Sequence, residues 1–132
     1  MILVDTCVLI DVIGPRTEWS AWSQRELWRW RGRGALMTNP IVFAELCSVY
    51  PSLEAAETAT EALTLRWSEL PKTALFLASR AHLVYRRRGG QKAMVLPDFL
   101  IGAHAAVARL PLLTRDRRRF ETYFPTLQIV AP

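Results

Sequence analysis

Short apolar runs that end at polar residues recur along this chain. The first run, residues 1–4, is apolar and partly β-branched, has no polar alternation, and ends directly at Asp5. A run of this kind predicts a buried parallel strand in the middle of a sheet. Because ligands of open α/β sheets bind beyond the carboxyl ends of the strands, we expect Asp5 at the edge of a crevice.

Further elements follow from the same pattern. Short apolar runs predict strands at residues 35–38, 110–114 and 127–130. Apolar positions at helical spacing predict helices at about residues 17–30, 41–50, 53–64, 72–87 and 99–108. Residues 63–67 fit either a short strand or the end of a helix. Three of the helices are preceded by residues that favour helix starts, namely Asn39-Pro40, Ser52 and Pro71. Since no linker or repeat interrupts the chain, residues 1–132 are expected to form a single domain.

Two local features leave alternatives open. Four tryptophans crowd the first long helix, and they fit either a core face or a groove for a partner helix or dimer contact: Trp19, Trp22, Trp28 and Trp30. Residues 86–92 are predicted to form a basic helix end and a flexible loop that begins with two glycines. They fit either a charge cluster that complements a helix dipole or a loop that contacts phosphates.

Composition narrows the function further. The 132 residues carry a net charge of +5, which favours polyanionic partners and nucleic acid above all. Cys7 and Cys47 are too few for a disulfide framework and are interpreted as buried, inert thiols. No apolar run is long enough to cross a bilayer, and no basic segment precedes the first apolar run. We therefore expect a cytoplasmic protein without membrane association.

The acidic residues have the most informative positions. Asp5 and Asp116 follow predicted strands, Asp98 begins an apolar helix, and Glu45 is the only charge in another apolar helix, where it lies either at the solvent edge or toward a site. In a parallel sheet with right-handed crossovers all four can face one crevice. Crowded carboxylates repel one another unless a cation lies between them, and Mg²⁺ prefers oxygen ligands. A metal-holding crevice in a basic protein indicates a phosphodiester substrate.

Four segments then resemble the motifs of a known family. They are residues 4–11, 39–46, 97–105 and 113–116, and together they are similar to the four motifs of the PIN-domain family. Over its full length the chain resembles the VapC-type toxins of bacterial toxin–antitoxin pairs. Each motif is weak alone, whereas the ordered set is specific.

This resemblance implies a fold, an activity and partners. The implied fold is an α/β/α three-layer sandwich with a short central parallel sheet. The implied activity is that of an endoribonuclease dependent on Mg²⁺ or Mn²⁺, which acts on RNA. The implied partners are a second copy of the chain in a homodimer, and a cognate VapB-type antitoxin whose C-terminal segment occupies the groove and active site of a hetero-oligomer.

The resemblance also assigns residues. The catalytic and metal-binding acids would be Asp5, Glu45, Asp98 and Asp116, and the residues supporting metal or phosphate would be Thr6, Thr114 and Arg115. The chain departs from the family at Cys7, where Asn or Ser is common, which puts a minor polar contact in doubt. Asp11 is interpreted as a charge on a helix face rather than a ligand. His104 is a poor candidate for the site, and the small Gly102 is expected to let its helix approach the sheet.

Other classes fit less well. A haloacid dehalogenase-type phosphatase needs a second Asp two residues after the first, where this chain has Cys7. A phospho-receiver domain needs an acidic pair near its N-terminus and a late lysine, yet Lys92 precedes the last acid. The remaining alternative is a PIN-fold module that binds nucleic acid without cutting it.

Overall fold

One sheet of parallel strands forms the centre of the molecule. The computed structural model describes residues 1–90 and 96–132. Within them the strands are β1 (Ile2–Val4), β2 (Leu36–Thr38), β3 (Arg66–Trp67), β4 (Leu112–Leu113) and β5 (Ile129–Val130). Neighbouring strands pair in parallel in the order β3-β2-β1-β4-β5, so β1 is the central strand, as predicted.

Helices connect the strands and cover the sheet. In the described ranges they are α1 (Thr6–Ile13), α2 (Ser20–Arg31), α3 (Pro40–Cys47), α4 (Leu53–Ala62), α5 (Lys72–Arg87), α6 (Leu96–Ala108) and α7 (Arg117–Glu121). A five-stranded parallel sheet flanked by helices is the α/β/α sandwich that the resemblance implies. The segment left open at residues 63–67 contains the edge strand β3 rather than only a helix end.

The later strands are shorter than their apolar runs. The N–H of Leu110 donates to the carbonyl of Ala105 and so closes the end of α6. The N–H of Leu127 donates to the carbonyl of Phe124 in a turn. Because these backbone groups are already used locally, both apolar residues precede their strands instead of joining them.

The predicted helix starts are formed by side-chain caps. The Oδ1 atom of Asn39 accepts the N–H groups of Ile41 and Val42 at 3.0 and 2.9 Å, and Pro40 follows as the first helical residue. Ser52 Oγ accepts the N–H of Ala55 at 3.2 Å. These contacts satisfy backbone donors that have no partner within the helix. They fix where α3 and α4 begin, and α3 carries Glu45.

The core surrounds β1, all of whose residues are fully buried. The sequence predicts that the small Gly102 lets α6 approach the sheet, but in the structure Gly102 faces aromatic rings instead. A Cβ at this position would lie 2.4 Å from Cε2 of Phe124 and 2.9 Å from Cδ1 of Phe120. The small residue therefore admits the buried rings at and after α7, which packs that segment against α6.

The tryptophans do not share one groove. Trp19 borders the cleft described below, whereas Trp28, with 65% of its surface exposed, lines a separate groove between α2, β2 and the end of α4. Trp22 and Trp30 pack against the core.

Of the basic segment 86–92, the arginines at 86–88 are exposed, and Gln91 and Lys92 lie outside the described residues. Across the described ranges, none of the helices combines the length and apolarity that a membrane span requires.

Candidate active site

A cleft of about 490 Å³ opens where β1 and β4 end. Its walls contain all four predicted acids together with two arginines, and the lining residues are Asp5, Thr6, Cys7, Ile10, Trp19, Glu45, Asp98, Arg115, Asp116 and Arg119. The acids come from the end of β1, from α3, from the first turn of α6 and from the residue before α7. The fold thus brings together side chains that are more than one hundred positions apart in sequence.

Asp5 is held by the neighbouring strand. Its N–H donates to the carbonyl of Leu113 at 2.9 Å, and its Oδ2 accepts the hydroxyl of Thr114 at 2.6 Å. The hydroxyl oxygen of Thr114 in turn accepts the N–H of Asp116 at 3.1 Å. Thr114 is fully buried and orients Asp5 and Asp116 from beneath the cleft. Its support of a metal or phosphate stays a prediction.

Cys7 occupies the position where the chain departs from the family pattern. Its thiol donates to Oδ2 of Asp5 at 3.2 Å. Burial, with the nearby charge of Asp5, raises the pKa of this thiol to about 11, so it stays protonated near neutral pH. The cysteine therefore keeps a donor facing Asp5. Cys7 packs against the core, as the predicted inert thiol would, but it is only half-buried and also lines the acidic cleft.

Glu45 faces the cleft and not the solvent edge. Its Oε2 accepts a short hydrogen bond from the hydroxyl of Thr6, the first residue of α1. Burial raises the pKa of Glu45, and the charges of Asp5 and Asp98 raise it further. Burial likewise raises the pKa of Asp5, against the hydrogen bonds of Thr114 and Cys7. Both carboxyls are in surroundings that favour a nearby positive charge.

Asp98 and Asp116 are joined by Arg119, a residue that the sequence analysis did not single out. The Nη1 atom of Arg119 donates to Oδ1 of Asp98 at 3.1 Å, and its Nε lies 3.2 Å from Oδ2 of Asp116. Asp116 also caps α7 by accepting the N–H of Arg119 at 3.1 Å. The sequence signal was the position three residues after an acidic N-cap, which places the side chain over that cap.

Arg115 forms another part of the wall and is anchored from behind. Its Nε lies 3.3 Å from Oδ2 of Asp11, a residue with only 3% of its surface exposed. The hydroxyl of Ser23 donates to the same carboxylate at 2.7 Å. As predicted, Asp11 does not line the cleft. Its charge is buried and paired, however, and is not solvated on a helix face.

His104 also lies away from the cleft, as expected. It is buried, its Nδ1 lies 3.0 Å from Nδ2 of Asn39, and its Nε2 lies 3.3 Å from Oγ of Ser68. Because Oδ1 of Asn39 already accepts two backbone N–H groups, Nδ2 is the donor in this contact. His104 therefore accepts at Nδ1, carries its proton on Nε2 and supports the helix that presents Glu45.

The donor set fits a hard divalent cation in kind. Carboxylate and hydroxyl oxygens are the ligands that Mg²⁺ and Mn²⁺ take. Burial raises the pKa values of Asp5 and Glu45, and the charge of Asp98 raises both further. In residues 1–90 and 96–132, however, no three His, Cys, Asp or Glu side chains are grouped closely enough to hold a metal. The cation that lies between Asp98 and Asp116 is the guanidinium of Arg119.

Comparison with known proteins identifies similar chains. The family model for the PIN domain matches residues 2–124. No curated protein matches the sequence at a significant level.

Solved structures of toxin–antitoxin complexes are similar in fold. A chain of VapBC2 from Rickettsia felis, bound to a DNA fragment from its promoter, aligns with a TM-score of 0.74 and 18% identity, covering 99% of this chain and 98% of that one. A toxin–antitoxin complex from Klebsiella pneumoniae gives 0.70 and 23%, covering 100% and 98%. DNA-bound VapBC from Salmonella typhimurium gives 0.69 and 21%, covering 99% and 98%. At these identities the likeness establishes the fold.

Proposed function

The chain belongs to the PIN domain family, and on that premise we propose that it is a VapC-type toxin, an endoribonuclease that depends on Mg²⁺ or Mn²⁺. The observation that carries the proposal is the convergence of Asp5, Glu45, Asp98 and Asp116 in one cleft. Two further features support it. The chain has a net charge of +5 although its cleft is acidic. The solved structures to which it is similar include toxin–antitoxin complexes.

In this proposal Asp5, Glu45, Asp98 and Asp116 would hold the metal, which when bound would supply an activated water and offset the negative charge that develops on the phosphate. The chain's own residues position the ligands. The buried hydroxyl of Thr114 fixes the orientation of Asp5, and the hydroxyl of Thr6 fixes that of Glu45. Such fixed orientation matters because the reaction rate falls steeply when a ligand or the substrate is displaced.

Arg115 is the residue proposed to contact the substrate phosphate. Its side chain is about one third exposed on the cleft wall while its Nε is engaged by Asp11. A guanidinium held at Nε can still offer its terminal nitrogens, and it binds phosphate in a directed, two-pronged geometry. The arginines at 86–88, 117 and 118 are exposed, and in this proposal they would add positive charge for the RNA backbone.

A cleavage assay tests the proposal. Purified protein, free of any antitoxin, is incubated with end-labelled RNA and with single-stranded DNA of the same sequence, in Mg²⁺, Mn²⁺ or EDTA. We expect metal-dependent cleavage of RNA, none in EDTA, and a loss of at least about 100-fold for Asp98→Asn, since a neutral amide replaces the anionic metal ligand. Glu54→Gln, which changes an exposed acid on α4, is the matched control and should cleave as the wild type does.

A non-catalytic nucleic-acid-binding module is the second candidate. The contacts of Arg119 favour it, because this cation already pairs Asp98 and Asp116 without any metal. It predicts that the protein binds RNA in a gel-shift assay but cuts neither RNA nor DNA in either metal. Cleavage that is unchanged in Asp98→Asn would also contradict the nuclease, because it would come from a contaminant.

We also propose a VapB-type antitoxin as the partner, in a cytoplasmic hetero-oligomer. The groove of about 200 Å³ beside the exposed Trp28 supports this, since its lining is mainly apolar and includes Leu27, Leu36 and Leu63. Co-expression with the product of the adjacent upstream reading frame tests it. We expect Trp28→Ala to weaken co-purification, whereas Trp67→Ala, which removes another exposed tryptophan at β3, should not.

A homodimer is the proposed state of the toxin within this complex. Phe76 and Val84 of α5 leave apolar surface uncovered, with 63% and 40% of their areas exposed. Where exposed apolar surface of this kind is contiguous, it often marks an interface between chains. Light scattering on the purified chain measures its mass, and a monomer at all concentrations would contradict the dimer.

A further inference from the structure

Of the three arginines at 117–119, Arg119 is the one whose side chain lines the acidic cleft, where it forms two ion pairs. It contacts Asp98 through Nη1 at 3.1 Å and Asp116 through Nε at 3.2 Å. These are two of the four carboxylates assigned above to the metal. The neighbouring Arg118 is exposed, although it belongs to the same short helix α7.

The surroundings of Arg119 stabilise its charge. Burial alone would lower its pKa, yet the pKa is raised because the charges of Asp98 and Asp116 outweigh burial, and Asp5 adds to them. The guanidinium in turn lowers the repulsion among the acids, and its charge counteracts the rise in the pKa of Glu45. One positive side chain thus offsets part of the negative charge that a divalent ion would otherwise neutralise.

We propose that Arg119 is a built-in counter-cation that competes with the divalent metal for Asp98 and Asp116 and thereby sets the metal affinity of the cleft. The inference rests on the proposed metal site. Two cations at the same pair of carboxylates repel each other, so the guanidinium weakens metal binding unless it leaves at least one acid. Releasing charge-assisted contacts of this kind costs free energy, which the metal must supply from its own binding.

Metal affinity is the quantity that this competition changes. Arg119→Gln removes the competing charge but keeps a polar side chain of similar length. Since a tenfold change in affinity corresponds to about 1.4 kcal/mol, the loss of two charge-assisted contacts should tighten Mn²⁺ binding by about tenfold. Arg119→Lys keeps the charge but loses the fork geometry, so an intermediate affinity is expected.

Arg118→Gln is the matched control. It removes the same charge from the same helix one position away, where the side chain is exposed. Long-range loss of one positive charge is largely screened at physiological salt, so its Mn²⁺ affinity should remain within about twofold of the wild type. A difference between the two variants therefore reports position and not net charge.

Isothermal titration of the full chain with Mn²⁺ measures these affinities, with circular dichroism to verify that each variant is folded. Tighter binding by Arg119→Gln alone supports the competition. Equal affinities for the wild type, Arg119→Gln and Arg118→Gln, or weaker binding by Arg119→Gln, overturn it while leaving the metal site intact. If the wild type binds no Mn²⁺, or Asp98→Asn binds it equally well, the proposed metal site itself fails and the competition fails with it.

Discussion

The Nε atom of Arg115 lies 3.3 Å from Oδ2 of Asp11, and this ion pair joins the wall of the acidic cleft to the buried side of α1. The same carboxylate accepts the hydroxyl of Ser23 from α2. A single buried charge therefore ties together two helices and the segment that follows β4. Its contribution to stability can be measured separately from any activity.

Asp11→Asn should destabilise the protein. The amide removes the charge that pairs with Arg115 and leaves Ser23 a neutral acceptor, whereas a hydrogen bond to a charged group contributes about 1.5–3 kcal/mol. We expect a loss in that range in the free energy of unfolding, measured by urea denaturation. Glu61→Gln, which neutralises an exposed acid on α4, should stay within about 0.5 kcal/mol of the wild type. If the two variants have the same free energy of unfolding, the ion pair does not contribute to the stability of the protein.

His104 predicts a loss of stability in mild acid. Burial lowers its pKa from the ordinary value of 6.5, so the folded protein binds this proton less readily than the unfolded chain. The stabilisation from neutral His104 is therefore complete above the ordinary value and declines as the pH falls below it. Protonation would also place a second donor opposite Nδ2 of Asn39.

Urea denaturation at pH 7.5 and at pH 5.5 measures this dependence. Because His104→Gln has no group that titrates there, it should lose less stability between the two pH values than the wild type does. His82→Gln changes the other histidine, which is half-buried against Tyr85 and Phe99, and should retain the wild-type loss. An identical loss in wild type and His104→Gln would exclude His104 as the acid-sensitive group.

Gly102→Ala distinguishes packing from helix propensity. Alanine is favoured over glycine in a helix by about 1 kcal/mol, so propensity alone predicts a more stable protein. Its Cβ would nevertheless lie 2.4 Å from the ring of the buried Phe124, and overpacking of this kind costs about 1–3 kcal/mol. Because the cost of overpacking equals or exceeds the gain in helix propensity, we expect net destabilisation of up to about 2 kcal/mol.

Gly32→Ala is the control for this comparison. Gly32 follows α2 with a helical backbone, and an added Cβ would meet only backbone atoms at 3.6 Å or more. Thermal unfolding should place this variant at or slightly above the wild type, since a compatible Gly→Ala change restricts the unfolded chain. A Gly102→Ala protein as stable as the Gly32→Ala protein would show that the rings move aside at no cost.

Much of the fold follows from local patterns in the sequence. The buried run before Asp5 has no polar alternation, which is the mark of a central parallel strand. Asn39 and Ser52 have the short polar side chains that cap helices, and both do so here. These features depend on neighbours within a few residues, so the sequence alone was sufficient.

The site could be predicted only in part, because its details depend on distant partners. The four acids border apolar segments, which indicated a common crevice. By contrast, three consecutive arginines at 117–119 look alike, and only the phase of a five-residue helix turns Arg119 toward Asp98. The partners of Asp11 and Gly102 do not follow from the sequence for the same reason, since Arg115 and Phe124 approach them only in the folded chain.

Anomalous diffraction from crystals grown with Mn²⁺ tests most directly whether the four acids form a metal site. We predict a manganese peak in the cleft within coordination distance, about 2.0–2.4 Å, of oxygens from Asp5 and Asp98. A crystal saturated with Mn²⁺ that shows no peak there, with Arg119 still paired to Asp98 and Asp116, would contradict it.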